Sequence, residues 1–228
     1  MLRTVFFDLD DTILDFQRAE AEALSGTMRR FGVDPTSQVL HRYHEINAAQ
    51  WRLLEEGRIT RPQLLVGRFR LLLEELGVDL DPQAVCHEYE TRLGQGHFFV
   101  PGAPELLETL APRYDLYLAT NGTAHIQRSR LESAGILPKF QGVFISQEVG
   151  ADKPSLAFFH ACFQAIPRFD LAAAVMVGDS LTSDIRGARA AGLRTCWFNP
   201  RGEEAPPEVR PDYQVRALEE LPELLETL

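Results

Sequence analysis

Cysteine is scarce in this chain. Of 228 residues only Cys86, Cys162 and Cys196 are cysteines, far apart and without a Cys-x-x-Cys pair. That excludes a disulfide framework and a thiolate metal centre, and it fits a reducing compartment. No apolar run is long enough to cross a bilayer, and no secretory leader is visible ahead of the first strand, so the expectation is a cytoplasmic protein without a membrane partner. Positive charge is also short: 23 Lys and Arg face 33 Asp and Glu, for a net charge of −10. Nucleic acid is therefore not an expected partner, because counterion release needs clustered cations. Between Phe16 and Phe99 there is no lysine at all. Internal repeats and low-complexity segments are absent as well.

What is present belongs to a globular protein with a large core: 45% hydrophobic and 25% charged residues, in a chain long enough for one large domain or one domain with an insertion. Its organising stretch is Val5-Phe6-Phe7-Asp8-Leu9-Asp10-Asp11-Thr12. An apolar run reads as a buried strand and stops in three carboxylates. The two-residue period puts Asp8 and Asp10 on one side, at the carboxyl end where ligands bind in open α/β sheets.

From Phe16 to Leu93 the pattern is helical. One helix runs from Phe16 to Phe31. A second opens with Asp34 as cap and Pro35 in its first position, a third is capped by Thr60 and stopped by Gly77, and a fourth opens at Asp81-Pro82. From Phe98 onward helices alternate with strands at Leu116–Thr120, Gly142–Ser146, Ala174–Gly178 and Thr195–Asn199, with a short edge strand at Tyr213–Val215. Helices are expected over Pro101–Pro112, Thr123–Ala134, Pro154–Ile166 and Leu181–Ala191, with a closing one after Leu218. This grammar predicts an α/β fold, a parallel sheet with helices on both faces. Residues 1–15 and 98–228 form the core, and 16–97 form an inserted helical bundle.

Three further polar clusters fall at or after strand ends: Thr120-Asn121-Gly122, Asp152-Lys153-Pro154-Ser155, and Gly178-Asp179-Ser180-Leu181-Thr182-Ser183-Asp184. Singly, each has a plain structural reading as a turn, a helix cap or a solvated lysine. Together, successive strands deliver polar groups to one edge of one sheet. Asp8-Leu9-Asp10-Asp11-Thr12, Thr120, Lys153 and Gly178 to Asp184 resemble the four motifs of the haloacid dehalogenase-like hydrolase superfamily, with a helical cap inserted after the first motif.

The resemblance implies a Rossmann-like core with strand order 3-2-1-4-5. It implies that Asp8 is a nucleophile forming an aspartyl-phosphate and that Asp10 is the general acid and then base. Crowding by neighbouring carboxylates would favour the protonated Asp10 that the first step needs. Lys153 would neutralise charge, and Thr120 with the backbone N–H groups of Asn121 and Gly122 would hold the phosphoryl oxygens. Mg²⁺ would be bound by the Asp8 and Asp179 side chains and the Asp10 carbonyl, with Asp184 acting through water or as a holder. A divalent ion also answers how so acidic a chain could accept an anionic substrate. Asp10 speaks against a 2-haloacid dehalogenase, which typically lacks an acid there.

The run from Gln50 to Thr60, then Gln63-Leu64 and Gly67-Arg68-Phe69, is similar to the cap of bacterial pyrimidine 5′-nucleotidases. The implied partner is a small phosphate ester, with nucleoside 5′-monophosphates leading, for a monomer or homodimer. A sugar-phosphate phosphatase, a hexose-phosphate mutase and a non-catalytic binding module are the alternatives. In the cap, Trp51 and Phe69 are expected to pack between helices, and Arg58, Arg68, His41 and His44 to be solvated.

Overall fold

The computed structural model describes residues 1–228. In chain order the elements are β1 (Thr4–Phe7), α1 (Phe16–Arg30), α2 (Ser37–Glu55), α3 (Arg61–Leu76), α4 (Pro82–Leu93), α5 (Ala103–Leu110), β2 (Asp115–Thr120), α6 (Ala124–Ala134), β3 (Gly142–Ile145), α7 (Ser146–Val149), α8 (Leu156–Ala165), β4 (Ala174–Gly178), α9 (Gly187–Ala190), β5 (Arg194–Phe198), β6 (Tyr213–Val215) and α10 (Leu221–Glu226). They form two compact units, residues 1–16 with 97–228, and residues 17–96.

The first unit is built on a six-stranded sheet in the order β3-β2-β1-β4-β5-β6. Every pairing is parallel, with β1 in register against both β2 and β4. Both faces are covered, and the strand period shows how. Val5 and Phe7, with Val175 and Val177, pack on Leu106, Leu107, Leu110, Leu221 and Leu225. The intervening Phe6 and Met176 pack on Phe158, Phe159 and Cys162 of α8. Each of these fully buried side chains contributes roughly 1.5–3 kcal/mol. A strand buried on both faces has no polar side, so β1 reads as a continuous apolar run. Beyond β1 the chain turns through Asp11, at φ 57°. It then makes a bridge between Leu14 and Phe99, supported by hydrogen bonds from Asp15 N–H to Phe98 O (2.8 Å) and from Val100 N–H to Ile13 O (3.0 Å).

The second unit is a helical bundle. Tyr43, Phe69 and Tyr89 meet ring to ring with centroids 5.2–5.5 Å apart. Thr60 and Gln63 form a reciprocal capping box at the start of α3, and Gly77 ends that helix in the left-handed region. Trp51 is half-buried, with the Arg61 guanidinium 5.5 Å from its ring.

Arg68, expected in solvent, is buried instead. Its guanidinium lies 5.2 and 5.0 Å from the rings of Phe69 and Tyr89 and donates to Asn47 Oδ1 (3.0 Å). Asn47 in turn donates to the buried Glu20 (2.7 Å), whose other oxygen meets His44 Nδ1 (2.7 Å). A chain of hydrogen bonds thus joins two buried charges of opposite sign, which makes their burial tolerable.

Three helix starts differ from expectation. α2 is capped by Thr36, whose hydroxyl accepts from Val39 N–H (3.3 Å), so Asp34 and Pro35 precede the helix. Ser155 caps α8 in the same way, leaving Pro154 outside. The stretch Leu181–Arg186 is a wide π-helical turn rather than the first turns of an α-helix, because the Asp184 and Ile185 N–H groups both converge on Ser180 O (3.1 Å each). The short α7 after β3 was not anticipated.

Candidate active site

The site is assembled at the carboxyl edge of β1, β2 and β4. Asp8 extends β1 by one residue, donating its N–H to Val177 O (2.9 Å), and its side chain is buried. Asp10 turns its carboxylate to α6, where Oδ2 accepts from Gln127 Nε2 (2.8 Å) and Oδ1 pairs with the Arg130 guanidinium. Asp11 accepts from Phe16 N–H (2.9 Å) at the start of α1.

Lys153 lies at the centre. Its Nζ donates to Asp8 Oδ1 (2.6 Å), Ala119 O (2.6 Å) and Asp184 Oδ1 (2.7 Å), which uses all three ammonium hydrogens. The backbone of Lys153 is held by Asn121, whose Oδ1 accepts from its N–H (2.8 Å) and whose Nδ2 donates to its carbonyl (2.9 Å). Beside them, Thr120 Oγ1 accepts from Gln127 Nε2 (3.0 Å) and Gly122 N–H donates to Ser146 Oγ (3.1 Å).

β4 delivers the remaining acids. Asp179 N–H donates to Thr12 Oγ1 (3.1 Å), whose hydroxyl faces Asp179 Oδ1 at 3.4 Å. The Trp197 indole N–H donates to Asp179 O (2.7 Å). The π turn carries Asp184 back beneath the strand end, where Oδ2 accepts from Ser180 N–H (3.0 Å). Gly178 makes this possible, since a Cβ there would come within 2.5 Å of Asp184 Cγ.

Carboxylate oxygens of Asp8, Asp179 and Asp184 all lie within 4.8 Å of one another. One ammonium cannot balance three such acids. Burial, reinforced by Asp184 and Asp10 and opposed by Lys153, pushes Asp8 above the usual carboxylate range. Burial, with Asp184 and Asp8 adding to it, does the same to Asp179. Burial pulls Lys153 down, but Asp184 and Asp8 more than offset this and hold it above the usual lysine range. An oxygen-only donor set with excess negative charge fits a hard divalent cation such as Mg²⁺.

The structure therefore brings Asp8, Lys153, Asp179 and Asp184 into one cluster, and links Asp10 to Thr120 through Gln127. The Asn121 side chain holds the backbone of Lys153. Thr12, Gln127, Arg130, Ser146 and Trp197 were missed as site residues. Gln127 and Arg130 carried a signal, being polar residues beside Ile126 and Leu131 on the buried side of α6.

Fold and cluster together define an α/β protein with a Rossmann-like parallel sheet and a buried acidic centre at its carboxyl edge. The model of the haloacid dehalogenase-like hydrolases matches residues 2–192, and the chain belongs to that family. It is 41% identical to the HAD-hydrolase YfnB of Bacillus subtilis (strain 168) over 98% of this chain and 95% of that protein. The crystal structure of YfnB bound to magnesium superposes with a TM-score of 0.94, covering 98% of both chains. Two pyrimidine 5′-nucleotidases are also similar. PynA of Streptococcus pneumoniae is 37% identical over 97% of this chain and 94% of its own length. YjjG of Escherichia coli is 33% identical over 97% and 96%. No helix is long and apolar enough to cross a membrane.

Proposed function

We propose that the protein is a Mg²⁺-dependent phosphomonoesterase that hydrolyses nucleoside 5′-monophosphates through an aspartyl-phosphate. The observation that carries this reading is the buried Lys153 ammonium bound at once to Asp8 and Asp184, beside Asp179. It supports reading Asp8 as a carboxylate nucleophile held against a fixed positive charge.

Asp8 attacks phosphorus as the ester P–O bond breaks, and Asp10 gives its proton to the departing alkoxide. Water then attacks the phosphoryl group, Asp10 takes the water proton, and inorganic phosphate leaves with Asp8 regenerated. Lys153 holds the Asp8 carboxylate in place and balances charge on the transferring group. The Thr120 hydroxyl and the N–H groups of Asn121 and Gly122 hold the non-bridging oxygens, Gly122 exchanging its Ser146 partner for one of them. The Asp8 and Asp179 side chains and the Asp10 carbonyl would hold Mg²⁺, which would neutralise charge on the phosphoryl group. Asp184, with one oxygen on Lys153 and the other on Ser180, suits the role of a holder behind that set. The nucleotide preference is supported by the names of two relatives, the pyrimidine 5′-nucleotidases PynA and YjjG.

The test is phosphate release from a panel of nucleoside 5′-monophosphates and sugar phosphates, with Mg²⁺ and with EDTA. Turnover should need Mg²⁺, favour nucleotides, and vanish in Asp8→Asn. Undiminished turnover in that variant would reject the mechanism, and a preference for sugar phosphates would reject the substrate class.

A further inference from the structure

Arg130 is a fully buried arginine on a helix whose job in a doubly covered sheet is to offer apolar side chains. Such a cation is costly to bury unless it is paired. Its partner is Asp10, across 120 residues of sequence, and it also donates to Gln127 Oε1 (2.9 Å). Gln127, one turn earlier on α6, reaches the other Asp10 oxygen (2.8 Å) and also Thr120 Oγ1 (3.0 Å).

Each Asp10 oxygen thus meets its own donor from one rigid helix, and this fixes both the position and the rotation of the carboxyl plane. Space for the Gln127 side chain exists because residue 122 is glycine. A Cβ there would lie 2.9 Å from Gln127 Cγ and 3.0 Å from Nε2.

We propose that Gln127 and Arg130 are positioning residues that fix the rotation of the Asp10 carboxyl group, the group that exchanges a proton with the leaving oxygen. The proposal rests on the phosphatase reading above. It assigns no chemistry to α6 itself: Asp10 exchanges the proton, and the α6 pair decides where it points.

Leaving-group dependence separates positioning from packing. An alkoxide needs a proton as it departs, whereas 4-nitrophenolate leaves without one. The variants Gln127→Leu, Arg130→Met and Arg130→Lys are compared with wild type in single-turnover quench-flow, using uridine 5′-monophosphate and 4-nitrophenyl phosphate with Mg²⁺. Loss of correctly placed acid catalysis should slow the nucleotide by roughly 10²-fold or more and the nitrophenyl ester by less than about a tenth of that factor. Arg130→Lys should recover part of the nucleotide rate.

Equal losses on both esters in Gln127→Leu would reduce the α6 pair to packing residues and overturn the proposal. If Arg130→Met does not fold, Gln127→Leu decides alone. No turnover of either ester by the wild type would sink the phosphatase reading and the α6 proposal with it. Wild-type turnover with equal losses would sink only the latter.

Discussion

Replacing Lys153 by methionine keeps the length of the side chain and removes its charge. In the parent, the ammonium sits 2.6 Å from Asp8 Oδ1, 2.6 Å from Ala119 O and 2.7 Å from Asp184 Oδ1. The variant leaves two buried carboxylates and a carbonyl without that donor. Breaking a buried ion pair on one side costs about 3–5 kcal/mol. For a chain of this size that lowers the unfolding midpoint by roughly 6–20 °C in cation-free buffer. The penalty carries a pH signature. Without the ammonium, Asp8 favours its protonated form more strongly, so the folded variant holds a proton that the unfolded chain does not bind near neutrality. Its deficit is therefore largest at pH 8 and shrinks toward pH 5. Thermal unfolding in EDTA at the two pH values, parent against Lys153→Met, reads both quantities. A loss below about 1 kcal/mol, or one equal at both pH values, would refute the reasoning that this lysine neutralises the cluster.

Further outcomes follow from the same geometry. In the cation-free parent, Asp8 and Asp179 are raised above their unfolded values. Their stabilising contribution is present below the ordinary carboxylate range and is lost as pH rises through the raised values. The melting temperature in EDTA should therefore fall from pH 5 to pH 8, and Mg²⁺ should flatten that slope. Gly178→Ala forces a Cβ into the Asp184 carboxylate and should cost about 1–3 kcal/mol in chemical denaturation. Trp197→Phe removes the 2.7 Å indole bond to Asp179 O and should weaken Mg²⁺ binding by roughly tenfold or more in titration calorimetry. An unchanged affinity would show that Asp179 needs no such support.

Much of the architecture was readable because its signals are local. The apolar run of β1 ends in acids within eight residues, and the Thr60–Gln63 box and Gly77 mark α3 without reference to anything outside it. The misreadings arise where local signals compete or tertiary contacts decide. Asp34-Pro35-Thr36 offers two capping residues in a row, and the helix uses the later one. Arg68 looks like a surface cation until Asn47 and Glu20, on other helices, supply its polar surroundings. The acids and the lysine of the site sit in strand-end motifs and could be named. The pairings that support them could not: Thr12 meets Asp179 across 167 residues, and Arg130 meets Asp10 across 120. Nothing in the spacing of those pairs announces them.

The Leu14–Phe99 bridge has a consequence for how such chains diversify. The polypeptide departs from the sheet and returns to it through two neighbouring, hydrogen-bonded crossings. Whatever lies between them hangs from a closed clasp, so its length and make-up leave strand registers in the parent layer untouched. An insertion held this way can be exchanged, enlarged or rebuilt while the carboxyl edge of β1 keeps its geometry.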